Sequence, residues 1–422
     1  MYPRLTILLG SLFYGLSLTA QPGKTTYLDP SLHTLRMRVD GDAERMPIIQ
    51  LNSGEQLEVS FDELTHEYRR YTYRIEHCDF EGKPTESLFE SDYVSAAAEE
   101  GVIEDYEPSF NTTVQYTHYR FTLPNAQMRP LLSGNYRLTV RTENEDGDEV
   151  DVLQTYFGVV EKKVGIRPTC STNTEVDWNG AHQQLSLEVD CGNLLLRDAG
   201  SEVKTLVMQN RRWDNAVINP PFTAQDGNLL KWEHCRQLIF KAGNEYRKME
   251  MLSTRYPGMH GQSMRWFDPY YHYTLVPDTK RRNYLYDEDR DGLSLVRCEG
   301  AGNPDTEADY VVTHFTLDVL PQQGRAYYVN GRWATQGLAP GYRMKFNPEN
   351  NVYELSVLMK QGYYNYLYLA TDESQPDLGQ TAPVEGDFYQ TENEYGVLVY
   401  YCPSGGRYWQ LVGCVSPIYR KQ

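Results

Sequence analysis

The sequence predicts an all-β protein made of tandem immunoglobulin-like β-sandwich domains, and three observations carry that prediction. Apolar and aromatic residues alternate with polar ones in short runs such as Thr117–Leu123, the pattern of a strand with one buried face. Turn residues, for example Pro124-Asn125 and Ser133-Gly134-Asn135, separate these runs. Tyrosine, which favours strands, occurs 34 times, against 13 phenylalanines and 6 tryptophans. A strand that begins at Tyr136 after a Ser-Gly turn is typical of the end of such a sandwich.

Residues 1–20 predict a secretory signal peptide rather than part of the fold. Arg4 gives a positive start, Leu5–Leu18 is apolar, and Ser17–Ala20 offers a cleavage site before Gln21. A membrane-spanning helix needs about 20 apolar residues, and this run is shorter. We therefore expect a soluble exported protein without direct membrane insertion.

The charge balance excludes some classes of partner. The formal net charge is −18, and a surface of that sign repels the phosphate backbone of nucleic acids and the anionic headgroups of lipids. We expect no nucleic-acid binding.

The seven cysteines predict free thiols rather than a disulfide framework, which a chain of 422 residues does not need for stability. Cys402 and Cys414 are near each other in sequence. A hairpin around Ser404-Gly405-Gly406 would place Cys402 opposite about Tyr408 and Cys414 opposite about Gly396. On that register the two sulfur atoms are too far apart to bond.

The first domain is predicted over residues 21–162. Its strands alternate in hydrophobicity and are separated by turns such as Asn52-Ser53-Gly54 and the Asp-Gly hairpin within Glu143–Glu149. The predicted strands are Met46–Leu51, Gln56–Phe61, Tyr68–His77, 117–123, 136–140 and Val150–Val160.

The middle domain is predicted over residues 163–312, after a short linker that contains Gly165 and Pro168. Two long loops separate its strands: Asn210–Gly227, which contains Trp213, and Arg255–Tyr273, which contains Trp266. Loops of this length are often functional surfaces. The predicted strands are Leu185–Asp190, Lys204–Gln209, Leu238–Phe240, Lys248–Leu252, Tyr271–Val276, Tyr284–Tyr286 and Leu293–Arg297.

The acidic run Asp287–Gly292 matches the opening of a calcium loop, with aspartate at positions 1, 3 and 5 and glycine at position 6. The twelfth position, which should be a bidentate glutamate, is Cys298, and the flanking segments predict strands rather than helices. The run fits a tight acidic hairpin better than a calcium site, so we predict no metal.

The C-terminal domain is predicted over residues 313–422 as a further immunoglobulin-like sandwich, because strands and turns alternate at roughly ten-residue spacing. Trp333 has two interpretations: a platform that stacks on sugar rings, or a core side chain, which is favoured because large aromatics bury the most area in small sandwiches. The predicted strands are Tyr327–Val329, Tyr342–Phe346, Val352–Leu358, Tyr364–Ala370, Val397–Tyr401 and Tyr408–Val412.

The sequence contains no recognisable catalytic or cofactor-binding motif. There is no HExxH, GxSxG, GxGxxG or Walker motif. The pairs His77-Cys78 and His234-Cys235 cannot chelate a metal from a strand, because neighbouring side chains point to opposite faces. Two of the 58 acidic residues could face one another as in a glycosidase, but the sequence alone does not show such a pair. We predict a non-enzymatic protein without a cofactor.

Several strings, in this order along the chain, resemble the type IX secretion system plug protein family. The resemblance runs from about Tyr27 to the C-terminus and departs from the family in the last turn, Cys402–Gly406. The strings are QLNSGEQLEVSFDEL (50–64), EHCDF (76–80), DYEPSFNTTVQYTHYRFTLPN (105–125), SGNYRLTV (133–140), QNRRWDNA (209–216), AGNEYRKME (242–250), DPYYHYTLVPD (268–278), NPDTEADYVVTHFTL (303–317) and TENEYGVLVYYCP (391–403).

This resemblance implies a periplasmic protein at the inner face of the outer membrane. The family's namesake blocks the periplasmic opening of the outer-membrane β-barrel translocon when no cargo is engaged. We expect a monomer with the barrel as its partner. The two long loops are our candidates for contact, since aromatic residues in loops make good anchors. The candidate partner-binding residues are Arg212, Trp213, Asp214, Trp266 and Tyr270.

Two other functions make different predictions. A periplasmic or surface glycan-binding protein would show exposed, coplanar rings near Trp333. An enzyme would show clustered carboxylates, or a cleft containing histidine, with shifted pKa values.

Overall fold

The structure, a computed structural model, describes residues 24–96, 99–334, 338–417 and 419. The predicted signal peptide lies outside the described residues. The fold class is confirmed: the chain is all-β, with its strands in several sheets that pack face to face.

One ten-stranded sheet extends through two of the sandwiches. The N-terminal and C-terminal parts of this sheet meet where Val160 lies beside Leu411 in a parallel pairing. In order, its strands are Val217–Ile218, Val203–Gln209, Tyr395–Tyr401, Gln410–Val415, Glu149–Val160, Gly134–Glu143, Tyr71–Cys78 and Gly101–Val102, with Thr26–Tyr27 and Ile48–Gln50 also paired to Glu149–Val160.

The first sandwich packs a four-stranded sheet against the N-terminal half of the large sheet. The predicted alternation of buried and exposed side chains places Phe61, Tyr119 and Tyr71 on inward faces of their strands. Their rings contact one another in the core. The four-stranded sheet has the order Leu32–Val39, Leu57–Glu63, Thr117–Leu123 and Asp105–Pro108, and a small pair joins Val94–Ala96 to Met128–Pro130.

The middle sandwich takes two strands from the C-terminal end of the chain. Val203–Gln209 pairs along its whole length with Tyr395–Tyr401, so the boundary at 312/313 does not separate the sheets. The opposing five-stranded sheet has the order Gly165–Ser171, His182–Asp190, Leu229–Trp232 and Ala224–Asp226, with Ile239–Lys241 paired to His182–Asp190.

The third sandwich begins well before residue 313. Its strands from the segment 247–279 pair with strands that follow residue 310. One sheet comprises Arg247–Met251, Gly362–Asp372, Ser294–Val296, Arg325–Asn330 and Gln375–Gln380, and the other comprises Gly261–Phe267, Tyr270–Leu275, Asp278–Thr279, Tyr310–Asp318, Val352–Lys360 and Lys345–Asn347.

Several segments differ from the sequence prediction. The predicted linker with Gly165 and Pro168 is the strand Gly165–Ser171, and the predicted loop Asn210–Gly227 contains the short strands Val217–Ile218 and Ala224–Asp226. Arg255–Tyr273 is not a loop, because Gly261–Phe267 and Tyr270–Leu275 form an antiparallel hairpin within it. Tyr284–Tyr286 is not a strand. In the last hairpin a bulge between Val399 and Tyr400 shifts the register, so that Cys414 lies opposite Leu398 rather than about Gly396.

Helices are few and short. Among the described residues, none is both long and apolar enough to pass through a bilayer. The helical segments are Glu90–Tyr93, Ala199–Glu202 and Pro304–Glu307, with 3₁₀ turns at Arg236–Leu238 and Pro340–Tyr342.

A buried ion network fixes the first sandwich to the third. Lys360 Nζ lies 2.6 Å from Asp62 Oδ2, and neither side chain is exposed to solvent. Asp62 also accepts a hydrogen bond from Tyr310 and lies 2.6 Å from His118 Nδ1. Burial lowers the pKa of Lys360 to about 8, while Asp62 partly offsets that effect. The first and third sandwiches are therefore joined by Asp62 and Lys360, and each of these buried charges would lack a partner without the other.

Candidate functional site

The hairpin Gly261–Phe267/Tyr270–Leu275 presents exposed aromatic side chains at the edge of the third sandwich, with Trp266 on one face of the sheet and Phe267 on the other. Trp266 is 46% exposed and Phe267 is 57% exposed. Trp266 packs edge-on against Tyr271, its cross-strand neighbour, which holds the indole in place. Large exposed aromatics on a rigid strand are suitable anchors for a protein partner.

Tyr270, another predicted contact residue, lies on the same hairpin opposite Phe267 and is half-buried. The structure therefore places Trp266 and Tyr270 on the same hairpin but in adjacent cross-strand pairs, whose side chains point to opposite faces of the sheet.

Arg212, Trp213 and Asp214 belong to a different part of the molecule, where they act in packing. Arg212 is buried, pairs with Asp214 at 2.5 Å, and donates a hydrogen bond to the Gly379 carbonyl. Trp213 covers the outer face of the ten-stranded sheet and is partly buried. These contacts use most of the hydrogen-bond donors of Arg212 and acceptors of Asp214. The segment therefore has a structural role.

A polar cleft of about 640 Å³ lies where the three sandwiches meet. The first sandwich contributes the segment from Asp42 to Ile48, and the third contributes Glu245, Arg332 and the turn Glu288–Asp291. Residues of the middle sandwich complete it: Arg211, Glu392, Glu394, Cys414, Val415 and Ser416.

One side of the cleft is fixed by a carboxylate held between two arginines. Glu394 pairs with Arg211 at 2.9 Å and with Arg332, and it also accepts a hydrogen bond from Ser416 Oγ. Burial alone would raise the pKa of Glu394, but the two arginines outweigh burial and hold that pKa below its usual value.

The opposite side carries acidic groups that hold protons more tightly. Burial raises the pKa of Glu245 to about 7 and that of Asp289 to about 6. The pKa of Asp291 is also raised, by burial and by the neighbouring Asp289 charge. Asp289 accepts hydrogen bonds from the backbone N–H groups of Tyr246 and Asp291, so its two oxygens are already oriented.

The carboxyl groups of this cleft suit recognition of positive charge. No histidine lines it among the described residues. The hydroxyl group of Ser416 is hydrogen-bonded to Glu394, whose lowered pKa makes it a weak base. The clustered carboxyl groups with raised pKa values match an expectation stated above for an enzyme.

The turn Asp287–Gly292 is therefore built differently from a calcium loop. Asp287 pairs with Lys248, and Asp289 is occupied by backbone N–H groups. No group of three or more His, Cys, Asp or Glu side chains in the described part of the chain is arranged to hold a metal ion.

Trp333 packs in the third sandwich rather than forming a sugar platform. It is partly buried, donates a hydrogen bond from Nε1 to the Asn365 carbonyl at 2.8 Å, and contacts the rings of Phe315, Tyr342 and Tyr364. The two rings nearest to it, Tyr342 and Tyr364, meet it edge-on.

All seven cysteines are free thiols in the structure. Burial is the main cause of the raised pKa of Cys78, Cys170 and Cys191, to about 12, 12 and 11. Such thiols stay protonated and unreactive at neutral pH.

The sequence alone indicates one segment of the cleft, Asp287–Gly292, and not the others. The acids of Asp287–Gly292 stand out in the sequence, but Glu245 and Glu394 are isolated residues in ordinary strings. Only the folding of distant segments brings them to the same cleft.

The fold defines a multi-sandwich β protein with an exposed aromatic hairpin and a polar cleft. Residues 32–161 match the family model described as the type 9 secretion system plug protein first domain. The first domain of this chain therefore belongs to the type IX secretion system plug protein family.

A solved structure, described as a hypothetical protein from Parabacteroides merdae ATCC 43184, is 37% identical to this chain. It covers 94% of this chain and 100% of its own length, with a TM-score of 0.91. The major pilin subunit BcpA of Bacillus cereus matches at 10% identity over 56% of this chain and 64% of the pilin, with a TM-score of 0.16, too low for a structural argument. No curated protein matches the chain.

Proposed function

We propose that this protein is a non-enzymatic plug that binds the periplasmic opening of the type IX outer-membrane translocon and seals it when no cargo is engaged. The match of residues 32–161 to the first domain of the plug protein family is the observation that carries the proposal. The protein would act in the periplasm, at the inner face of the outer membrane, as a monomer.

The architecture supports this proposal on physical grounds. A pore that passes folded cargo is sealed only by a folded body that does not deform. The ten-stranded sheet joins two sandwiches, and the Lys360–Asp62 network ties the third to the first. Interior packing of this kind resists deformation.

Binding would follow ordinary mass action. A barrel that is closed about 99% of the time needs free plug at about 100 times its dissociation constant. A specific interface of about 1,200–2,000 Å² is the usual size for such a complex. Release then requires another state of the barrel, such as a cargo-bound one, to bind the plug less tightly.

We assign the aromatic hairpin as the contact surface. Trp266 and Phe267 are exposed on a paired strand, whereas Arg212, Trp213 and Asp214 are largely committed to internal contacts. Trp333, the residue on which the glycan-binding alternative depends, is partly buried and packs within the third sandwich, which counts against that alternative.

Recovery of the barrel from solubilised outer membranes by the tagged protein tests this function. Changing both hairpin residues, Trp266→Ala and Phe267→Ala, should lower the recovered barrel by at least about tenfold, since central aromatic anchors are worth 2 kcal/mol or more. Trp178→Ala is the matched control, because Trp178 is 73% exposed on the middle sandwich.

The outcomes separate the two parts of the proposal. If the unchanged protein recovers no barrel, the plug function is wrong. If the hairpin variant recovers as much barrel as the Trp178 variant, the barrel binds elsewhere on the protein.

A further inference from the structure

The cleft where the three sandwiches meet is lined by more acidic than basic side chains. Each of its four arginines has an acidic partner within 4.0 Å: Arg45, Arg211, Arg290 and Arg332. Six acids of the same lining form no ion pair within the described residues, namely Asp42, Glu245, Glu288, Asp289, Asp291 and Glu392. The site therefore lacks cations, although arginines surround it.

One atom shows where a cation would be held. Asp291 is 6% exposed and lines the cleft, and its Oδ1 has no hydrogen-bond partner among the described residues. A buried carboxylate oxygen without a partner is costly, so the group must either hold a proton or pair with an incoming donor.

The cleft has the size of a ligand site and continues into an apolar recess. Its volume of about 640 Å³ falls within the range of small-molecule and peptide pockets. A recess of about 80 Å³ beside it shares the lining residues Met46, Ile48 and Arg211, and is otherwise walled by apolar groups such as Leu398 and Trp213. A ligand with a positively charged group in the cleft and a neighbouring apolar group in the recess would occupy both spaces.

The form of the cation follows from the arrangement of the acids. In the described part of the chain no three acidic, histidine or cysteine side chains are arranged to hold a metal ion. A guanidinium group suits spread-out acceptors better, because it presents five N–H donors in a plane and is more weakly hydrated than an ammonium group.

We propose that this cleft binds the guanidinium group of an arginine side chain on an extended segment of a partner protein, with Asp291 Oδ1 as the central acceptor and an adjacent apolar side chain in the recess. The site is separate from the aromatic hairpin, and the proposal does not depend on which face of the protein meets the barrel.

Calorimetric titration of the mature protein with two short peptides tests this proposal. The probe is acetyl-Leu-Arg-Leu-amide, and its control replaces arginine by citrulline, which keeps the shape and removes the charge. The arginine peptide should bind at least about tenfold more tightly than the citrulline peptide. Its charged guanidinium group makes stronger hydrogen bonds to carboxylates than the neutral urea group of citrulline does.

Matched variants locate the site. Asp291→Asn should reduce affinity for the arginine peptide by at least about tenfold, whereas Asp226→Asn, an exposed aspartate on the middle sandwich, should leave it unchanged. Glu392→Gln provides a second variant on the cleft wall, expected to weaken binding in the same direction, in case Asp291→Asn does not fold.

Three results would overturn the proposal. The first is equal affinity for the arginine and citrulline peptides, and the second is no saturable binding of either up to about 10 mM, beyond any useful affinity. The third is thermal stabilisation by calcium chloride that depends on Asp291 in a protein that does not bind the arginine peptide, which would make the cleft a cation site of another kind.

Discussion

Lys360 shows how strongly single residues determine the stability of this molecule. Its ammonium group is fully buried, contacts Asp62 at 2.6 Å, and lies 4.1 Å from the centre of the Tyr116 ring. Removing one member of a buried pair leaves the other charged and uncompensated, which is more damaging than losing both.

We therefore predict that Lys360→Met lowers the free energy of unfolding by about 3–5 kcal/mol, measured by denaturant titration. The double variant with Asp62→Asn should recover part of that loss, because it removes the orphaned charge. Lys83→Met, which breaks the exposed pair with Glu81, should leave stability unchanged. Equal effects of Lys360→Met and Lys83→Met would contradict the structural role of the buried network.

The cleft acids predict a pH dependence of stability. The pKa of Glu245 is raised to about 7, chiefly by burial, with smaller contributions from the Asp289 and Glu392 charges and an opposing hydrogen bond from Tyr284. A carboxyl with a raised pKa in the folded state binds a proton that the unfolded chain has lost. Its stabilising contribution is complete below pH about 4.5 and is lost as the pH rises through 7.

The expected outcome is a fall in unfolding free energy between pH 5 and pH 8 that is smaller in Glu245→Gln than in the unchanged protein. The difference should be of the order of 2 kcal/mol, since one unit of pKa shift corresponds to about 1.4 kcal/mol. Denaturant titrations of both proteins at the two pH values measure it. Parallel pH profiles would show that Glu245 is ionised in the native protein at neutral pH.

At the scale of strands and hairpins, the local sequence pattern predicts where a strand lies, whereas contacts between distant segments decide which strands pair. The alternation in Thr117–Leu123 and Val352–Lys360 identifies both strands in the sequence, because each buries one face. The pairing of Val203–Gln209 with Tyr395–Tyr401 joins segments almost two hundred residues apart, which no local pattern encodes. The Trp266 hairpin is read as a loop because Asp268-Pro269 and Gly261 interrupt its alternation.

The candidate site follows the same rule. The aspartates of Asp287–Gly292 are visible in the sequence, and so are Trp266 and Tyr270. The partners of those aspartates in the cleft, Glu245 and Glu394, come from other strands and carry no spacing signal. Arg212 and Asp214 have the composition of a contact loop, but their burial depends on Gly379, which is distant in sequence.

The strand exchange between sandwiches predicts which fragments fold. Residues 313–422 alone lack the strands Arg247–Met251 and Tyr270–Leu275, which pair with Gly362–Asp372 and Tyr310–Asp318. They also carry Tyr395–Tyr401, whose partner lies in the middle sandwich. We expect this fragment to show no cooperative thermal unfolding, whereas residues 244–390, which hold all strands of the third sandwich, unfold cooperatively. A cooperative transition in fragment 313–422 would show that the third sandwich does not need its early strands.

At the scale of the whole molecule, three sandwiches behave as one body. The ten-stranded sheet crosses two of them, and charged side chains close the junction of the first and third. A rigid protein of this kind would block the translocon pore by occupying it. At a given concentration of free plug, the free energy of binding then sets the fraction of pores that are open. The proposed function therefore makes a quantitative prediction about leakage.

If the barrel is closed about 99% of the time, free plug stands at about 100 times its dissociation constant. A tenfold loss of affinity, about 1.4 kcal/mol, lowers that ratio to about 10 and raises the open fraction from about 1% to about 9%. The hairpin variant Trp266→Ala/Phe267→Ala should thus increase entry of an antibiotic too large for ordinary porins several-fold, at unchanged protein level. Deletion of the protein should increase entry further, while Trp178→Ala should behave as the unchanged protein does. Leakage that stays the same in the deletion strain would mean that this protein does not seal the pore, whatever it binds.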